Sequence, residues 1–294
     1  MQNQFTWSKA NQPQVAYRSP APATARRPVR WEDFGPDFAG LLATFTPITL
    51  SEMSSVALQD RTDTKYLLLE RPLYAALATL AGDYRVLDID GARLNHYRTL
   101  YFDSDDFALF RQHHAGRRDR YKVRSRRYVD SGLSFLEVKH KIGDNRTIKS
   151  RIATDIFLDA LTPAADDFLH QHLPFDPAAL RPQIWNEYTR VTLVSLTDGE
   201  RVTLDLNLSF SAGGQAGSRP PMALPGLAIA EVKQDGVNRN SAFVRRMREM
   251  NQRPAGFSKY CAGVTLLHQE IKHNNFKPRM RTISKLIRGD YRVH

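Results

Sequence analysis

The sequence is almost without cysteine: Cys261 is the only one. A single thiol excludes an internal disulfide and any cysteine-cluster zinc or iron–sulfur site, and it fits a reducing compartment with the residue buried as a small side chain. Also missing is any uninterrupted apolar run long enough to cross a bilayer, and Met1 to Arg30 lacks the apolar stretch of a secretory signal. Together these absences lead us to expect a cytoplasmic protein. No Gly-x-x-x-x-Gly-Lys-Ser/Thr loop occurs, which argues against a P-loop nucleotide site, and no His-Glu-x-x-His supports a zinc protease. His113 and His114 are adjacent but have no third ligand at a clear spacing, so they read as surface residues of a strand-connecting segment rather than as metal ligands. The sequence has no internal repeat.

Acidic residues are in short supply too. Lys and Arg total 42 against 31 Asp and Glu, a formal net charge of +11. That balance calls for an anionic partner, and nucleic acid, an acidic membrane surface and a phosphorylated small molecule all satisfy it. The chain has 294 residues, 41% of them hydrophobic, enough for a sizeable core in one large domain or two small ones.

Composition divides the chain into an expected disordered N-terminal tail over residues 1–30, rich in Gln, Asn, Ala and Pro, a folded domain over 31–270, and a basic tail or helix over 271–294. Ser211 to Pro225 combines Gly, Ser and Pro without periodicity and reads as a long loop. Helical spacing is confined to Pro72 to Ala81, Ile156 to Leu173 and Ser241 to Asn251. Strand patterns run over Arg61 to Leu68, Tyr97 to Asp103, Arg120 to Tyr128, Ser134 to Lys141, Thr147 to Ile152, Ile184 to Leu196, Arg201 to Leu208 and Leu227 to Lys233. Several connections are short, so antiparallel neighbours are expected.

Alternate side chains of a strand point to opposite faces. On that rule Arg120, Lys122, Arg124 and Arg126 share one face and Tyr121, Val123 and Ser125 the other. Glu137, Lys139 and Lys141 lie opposite Leu136, Val138 and His140, and Lys149 and Arg151 lie opposite Ile148 and Ile152. Arg201, Thr203, Asp205 and Asn207 lie opposite four aliphatics; Arg61, Asp63 and Lys65 alternate likewise, as do Glu231 and Lys233. One such strand is an ordinary solvent-facing strand, but repeated like charges at neighbouring positions repel unless something offsets them. Basic faces converging on a lumen, with a polyanion and a metal inside, supply that offset. The interleaved carboxylates Asp63, Glu137, Asp205 and Glu231 are oxygen donors of the kind that suit Mg²⁺ or Mn²⁺, or they pair with lysines.

Eight stretches, in this order, resemble the VTC domain, the catalytic module of polyphosphate polymerases within the triphosphate tunnel metalloenzymes. They are Arg61-Thr-Asp-Thr-Lys-Tyr66, Tyr101-Phe-Asp103, Lys122-Val-Arg-Ser-Arg126, Phe135-Leu-Glu-Val-Lys139, Ile148-Lys-Ser-Arg151, Glu187-Tyr-Thr-Arg190, Ile229-Ala-Glu-Val-Lys233 and Phe257-Ser-Lys-Tyr260. The resemblance implies an α+β fold: an eight-stranded antiparallel tunnel barrel with a charged lumen and helices packed on its outside. It implies phosphate ligands at Lys65, Arg124, Arg126, Lys139, Lys149, Tyr188, Arg190 and Arg201, a metal ligand at Glu231, and Ser258 with Lys259 at the reacting phosphate. Asp63 departs from the glutamate usual in related tunnel enzymes.

The implied activity moves the γ-phosphate of ATP to a growing polyphosphate chain, with Mn²⁺ or Mg²⁺ as cofactor and ATP and polyphosphate as partners, and with no specific nucleic acid and no transmembrane segment. The rivals are an inorganic triphosphatase on the same scaffold, with water as nucleophile and Glu137 or Glu231 as base, and a non-catalytic polyphosphate or nucleic-acid binding module.

Overall fold

The computed structural model describes residues 36–55, 62–143, 146–214 and 220–288. The tail expected over 1–30 and Arg61 lie outside the described residues. In chain order the elements are α1 (Pro36–Ala43), β1 (Thr46–Ile48), α2 (Leu50–Ser55), β2 (Thr62–Leu69), α3 (Glu70–Leu77), β3 (Tyr84–Leu87) and β4 (Asn95–Asp103). Then come α4 (Ala108–His114), β5 (Arg120–Tyr128), β6 (Ser134–Ile142), β7 (Arg146–Thr154), α5 (Pro163–His172) and β8 (Arg181–Ser195). The chain continues with β9 (Arg201–Ala212), β10 (Met222–Ala223), β11 (Leu227–Gln234), α6 (Ala242–Glu249), α7 (Lys259–Leu267) and α8 (Lys277–Arg288). None of these helices is long and apolar enough to cross a membrane.

The strands form one sheet whose main path runs β2-β11-β9-β8-β4-β5-β6-β7, with every pair along it antiparallel. The class is α+β. Two features of the expected barrel are corrected. The sheet has eleven strands, because β3 joins β8 and pairs in parallel with β1, and β10 adds to β9. The sheet is also not closed, since β2 and β7 end the path without pairing to each other. The reason lies at the free edge of β2, where the Ala255 N–H donates to the Lys65 carbonyl at 2.7 Å. A loop thus takes the edge that closure would need. The sheet still curls, because Lys65 of β2 and Lys139 and Thr147 of β6 and β7 line one common cavity.

Helices occupy both faces, which corrects the expectation that all pack outside. The convex face is covered by α1, α3 and α6, where Phe38, Leu73, Leu77, Phe243 and Met247 meet Val191, Leu204, Ala230 and Val232. Farther along it, Phe168 and Leu169 of α5 cover Leu100, Val123, Leu136 and Val138. Helix α5 starts at Pro163, later than the expected Ile156, because proline suits a first helical turn and biases the residue before it to extended backbone. The concave face carries α7, with Tyr260, Cys261 and Val264 set against Ile184, Leu208, Phe210 and Ile229, and Ile283 of α8 in the same cluster. Close approach here depends on Gly263: a Cβ at that position would lie 2.6 Å from Ile184 Cγ2 and 2.9 Å from Phe210 Cδ1.

How β9 serves two environments follows from a bulge. Pairing with β8 slips between Glu187 and Thr189, opposite an extra residue on β9, and Asn207 has φ of 53°. Asn tolerates that left-handed conformation better than most residues. Val202, Leu204 and Leu206 accordingly face the convex core, whereas Leu208 and Phe210 lie under α7. The expected grouping of Leu208 with the outer aliphatics is thereby corrected.

Candidate functional site

The concave face divides in two. Toward α7 it is apolar; beyond Leu67, Leu208 and Ile229 the same rows continue as Lys65, Asp205 and Glu231. Three carboxylates anchor this charged half, each holding two cations. Glu231 is bound by Lys65 on one oxygen and by Lys233 at 2.6 Å on the other. Asp205 takes a two-pronged contact from Arg190, at 2.6 and 2.8 Å, and a further one from Lys259. Glu137 meets Arg124 at 2.6 Å and Lys149 at 2.5 Å. Burial pushes each carboxyl up, but the paired cations outweigh it and hold all three well below the usual carboxylate range.

An aromatic layer lies between the charged pairs and α7. Tyr97 and Tyr188 stack at 5.1 Å, and the Arg190 guanidinium stands 4.9 Å from the first ring and 5.3 Å from the second. Lys259 sits 4.4 Å over Tyr188. Tyr188 is 3% exposed, and among the described residues its hydroxyl has no hydrogen-bond partner. Tyr101 accepts from Arg124 at 3.4 Å; burial raises this phenol, yet Arg124, Arg126, Lys259 and Lys122 together bring it below its ordinary value.

Helix α7 delivers Ser258 and Lys259. The Ser258 hydroxyl caps the helix by accepting from the Cys261 N–H at 3.2 Å, and it also accepts from Lys122 at 2.9 Å. Tyr260 donates to Asp103, which also accepts from the N–H groups of Leu109 and Phe110 at 2.8 Å each. Asp103 is fully buried and fixes the starts of both α4 and α7.

The predicted residues fall into two groups. Lys65, Arg124, Arg126, Lys139, Lys149, Tyr188, Arg190, Glu231, Ser258 and Lys259 form one electrostatic neighbourhood, as their mutual effects on Lys139, Tyr188, Glu137 and Asp205 show, with Ser258 joined through Lys122. Arg201 stands at the end of its row, directly across from Lys233, where it donates to the Met53 carbonyl at 3.4 Å. A cavity of about 1000 Å³ opens beside the neighbourhood, and only Lys65, Lys139 and Ser258 of the predicted set line it, together with Lys122 and Arg279. His113 also lines it, at the end of α4, with its ring 3.1 Å from the Tyr121 carbonyl.

Among the described residues, Arg126, Lys122 and Lys139 pair with no carboxylate. Arg126, 6% exposed, reaches Thr99 Oγ1 at 3.3 Å; Lys122 donates to Ser258; and Lys139 forms no ion pair among the described residues. Burial, helped by Lys122, Lys65 and Arg124 and opposed by Glu231, pushes Lys139 down to about 8. Water nevertheless reaches this residue, because its surroundings are the wall of an open cavity. Burial and Arg124 likewise lower Lys149 to about 8, although Glu137 favours its charge.

A pH dependence follows with a definite sign. Both lysines lose a proton as pH rises through about 8, so affinity for an anion such as tripolyphosphate is expected to fall there. The native state also holds fewer protons than the unfolded chain above about 8, so these two groups make the unliganded protein more stable as pH rises toward the ordinary lysine value. Opposite slopes for binding and stability, measured by calorimetry and chemical unfolding, check this; proton uptake on binding near that pH is the direct signature.

A divalent cation has no preformed cage here. Among the described residues no three His, Cys, Asp or Glu side chains come together as metal ligands. The donor chemistry fits instead a metal that arrives already bound to phosphate, since Mg²⁺ is commonly held by one or two carboxylates plus substrate oxygens. Glu231, ionised and facing the lumen, is a hard oxygen donor of that kind.

Sequence reasoning overlooked Lys122 and Lys233 as site residues, though their places in the alternating rows matched those of Arg124 and Glu231. Tyr97 and Tyr101 had the same signal in β4, whereas Arg279 had none.

A family model described as the VTC domain matches residues 60–268. Among solved structures, a candidate adenylate cyclase from Vibrio parahaemolyticus is 13% identical, covers 69% of this chain and 96% of its own, and superposes with a TM-score of 0.40. A candidate adenylyl cyclase from Hippeastrum, described as having a dominant triphosphatase activity, is 12% identical, covers 73% and 100%, and gives 0.42. No curated protein matches the chain.

Proposed function

Because the chain belongs to the VTC domain family, we propose that it is a phosphoryl transferase that moves the γ-phosphate of ATP onto a growing polyphosphate chain within its basic trough. The observation that carries this reading is the trio Arg126, Lys122 and Lys139, cations that pair with no carboxylate among the described residues and stand beside three carboxylates that already hold two cations each. Like charges gathered without counter-charge repel one another, and a bound polyanion offsets that repulsion. The buried Tyr188 hydroxyl, without a hydrogen-bond partner among the described residues, lies under Lys259 in the same neighbourhood.

In this proposal Lys65, Arg124, Arg126, Lys139 and Arg190 clamp the phosphates, and Lys149 and Tyr188 complete the wall. A terminal oxygen of the acceptor chain attacks the γ-phosphorus as the bond to the bridging oxygen breaks, and ADP leaves with that oxygen. Lys259, at the start of α7, meets the charge on the equatorial oxygens of the transferred group. Glu231 would hold Mn²⁺ or Mg²⁺, which supplies further neutralisation of phosphate charge when bound. Hydrolysis is less well served. A base is needed to activate water, and Glu137 and Glu231 are both held ionised by two cations, which leaves them little basicity.

The test is incubation of the purified protein with ATP and Mn²⁺ or Mg²⁺, with products resolved by length on a gel. Long phosphate chains that disappear in an Arg124→Ala variant are the expected result. Orthophosphate as the only product would convert the reading to a triphosphatase, and tight salt-sensitive binding of polyphosphate without turnover would convert it to a binding module.

A further inference from the structure

Helix α8 lies beyond the stretch that matches the family, yet it forms part of the cavity wall. Its twelve residues, Lys-Pro-Arg-Met-Arg-Thr-Ile-Ser-Lys-Leu-Ile-Arg, include five cations and no carboxylate. Their directions differ. Arg279 and Thr282 line the cavity, Met280, Ile283 and Ile287 pack into the core around α7, and Lys277, Arg281, Lys285 and Arg288 form an exposed outer row. None of the five makes an ion pair among the described residues.

That row is unfavourable by itself. Like charges spaced three or four residues apart on a helix repel, and cations in a first turn oppose the helix dipole. Resting on the trough reading above, we propose that the outer row of α8 is a docking strip for a long polyphosphate chain, receiving the part that extends past the cavity mouth. Pro278 and Thr282, which line the cavity with Arg279, stand on the helix between Arg279 and that row. A membrane fits less well, because a surface-lying helix needs a free apolar face and that of α8 is spent on the core. Single-stranded nucleic acid also fits less well, because α8 carries no aromatic residue on which a base stacks.

The experiment compares tripolyphosphate with long-chain polyphosphate on the full-length protein, unaltered and as the variant Lys277→Gln/Arg281→Gln/Lys285→Gln/Arg288→Gln. Affinity for the long chain is expected to weaken by about tenfold or more and to lose part of its salt dependence, with tripolyphosphate affinity unchanged. Arg281→Lys/Arg288→Lys, which keeps the charge, should bind as the unaltered protein does. Unchanged long-chain affinity in the fourfold variant overturns the proposal, as does loss of binding to phosphatidylserine vesicles or to RNA with polyphosphate binding retained. Failure of the unaltered protein to bind tripolyphosphate at all overturns the trough reading, and this strip with it.

Discussion

An Asp205→Ala variant is expected to be less stable than the parent by about 3–5 kcal/mol, the usual effect of removing one partner from a buried ion cluster. Asp205 is 2% exposed, and its loss strands Arg190 and Lys259 together in a space already crowded by Arg124 and Arg126. The comparison that makes the experiment specific is recovery. If the trough is built for phosphate, tripolyphosphate should return more stability to the variant than it adds to the parent, because it supplies the missing negative charge; a ligand stabilises by mass action through its affinity for the native state. Urea unfolding with and without tripolyphosphate measures both quantities. An equal increment in the two proteins would separate Asp205 from the anion site and leave it a purely structural residue.

Lys259→Ala is expected to behave differently, with turnover of ATP falling by about 10²–10³-fold while the fold is kept. Asp205 retains its two-pronged contact with Arg190 after the lysine is removed, so no buried carboxylate is abandoned. Binding of ATP should weaken far less than turnover, because the clamp residues are untouched. Separate measurement of kcat and KM decides the matter: a change confined to KM would make Lys259 one more binding cation, whereas a fall in kcat marks a contact that strengthens as charge develops on the transferred group. Helix α7 should remain seated in both cases, since Asp103 still holds Tyr260 and Ser258 still caps the first turn.

The eight strands of the main path, though not their order, were legible in the sequence because most are long and set charged residues opposite apolar ones. Arg120 to Tyr128 begins and ends where its charged and apolar rows do. Membership of the charged face was legible for the same reason, as the rows through Lys65, Arg124, Lys139 and Glu231 show. Partnership was not. Alternation gives a side chain's direction but not its neighbour two strands away, so nothing predicted that Glu137 would hold both Arg124 and Lys149. Helix α7 was illegible because Tyr260 to Thr265 and Leu267 are buried on every side, which erases the one-sided spacing by which surface helices are recognised. The loop at the free edge of β2 is held there by a bond from Ala255, and no periodicity records that.

The bulge at Asn207 amounts to a change of reading frame within one strand. Before it, odd-numbered residues of β9 look into the trough; after it, even-numbered ones do. A chain shorter by that one residue would keep its composition and its β propensity, yet it would turn Leu208 and Phe210 away from α7 and bring serines beneath Gly263 in their place. The support for Lys259 is therefore encoded in the length of β9 as much as in its letters. Along this strand, deletion is a different kind of change from substitution, and the reacting end of the trough lies directly downstream of that constraint.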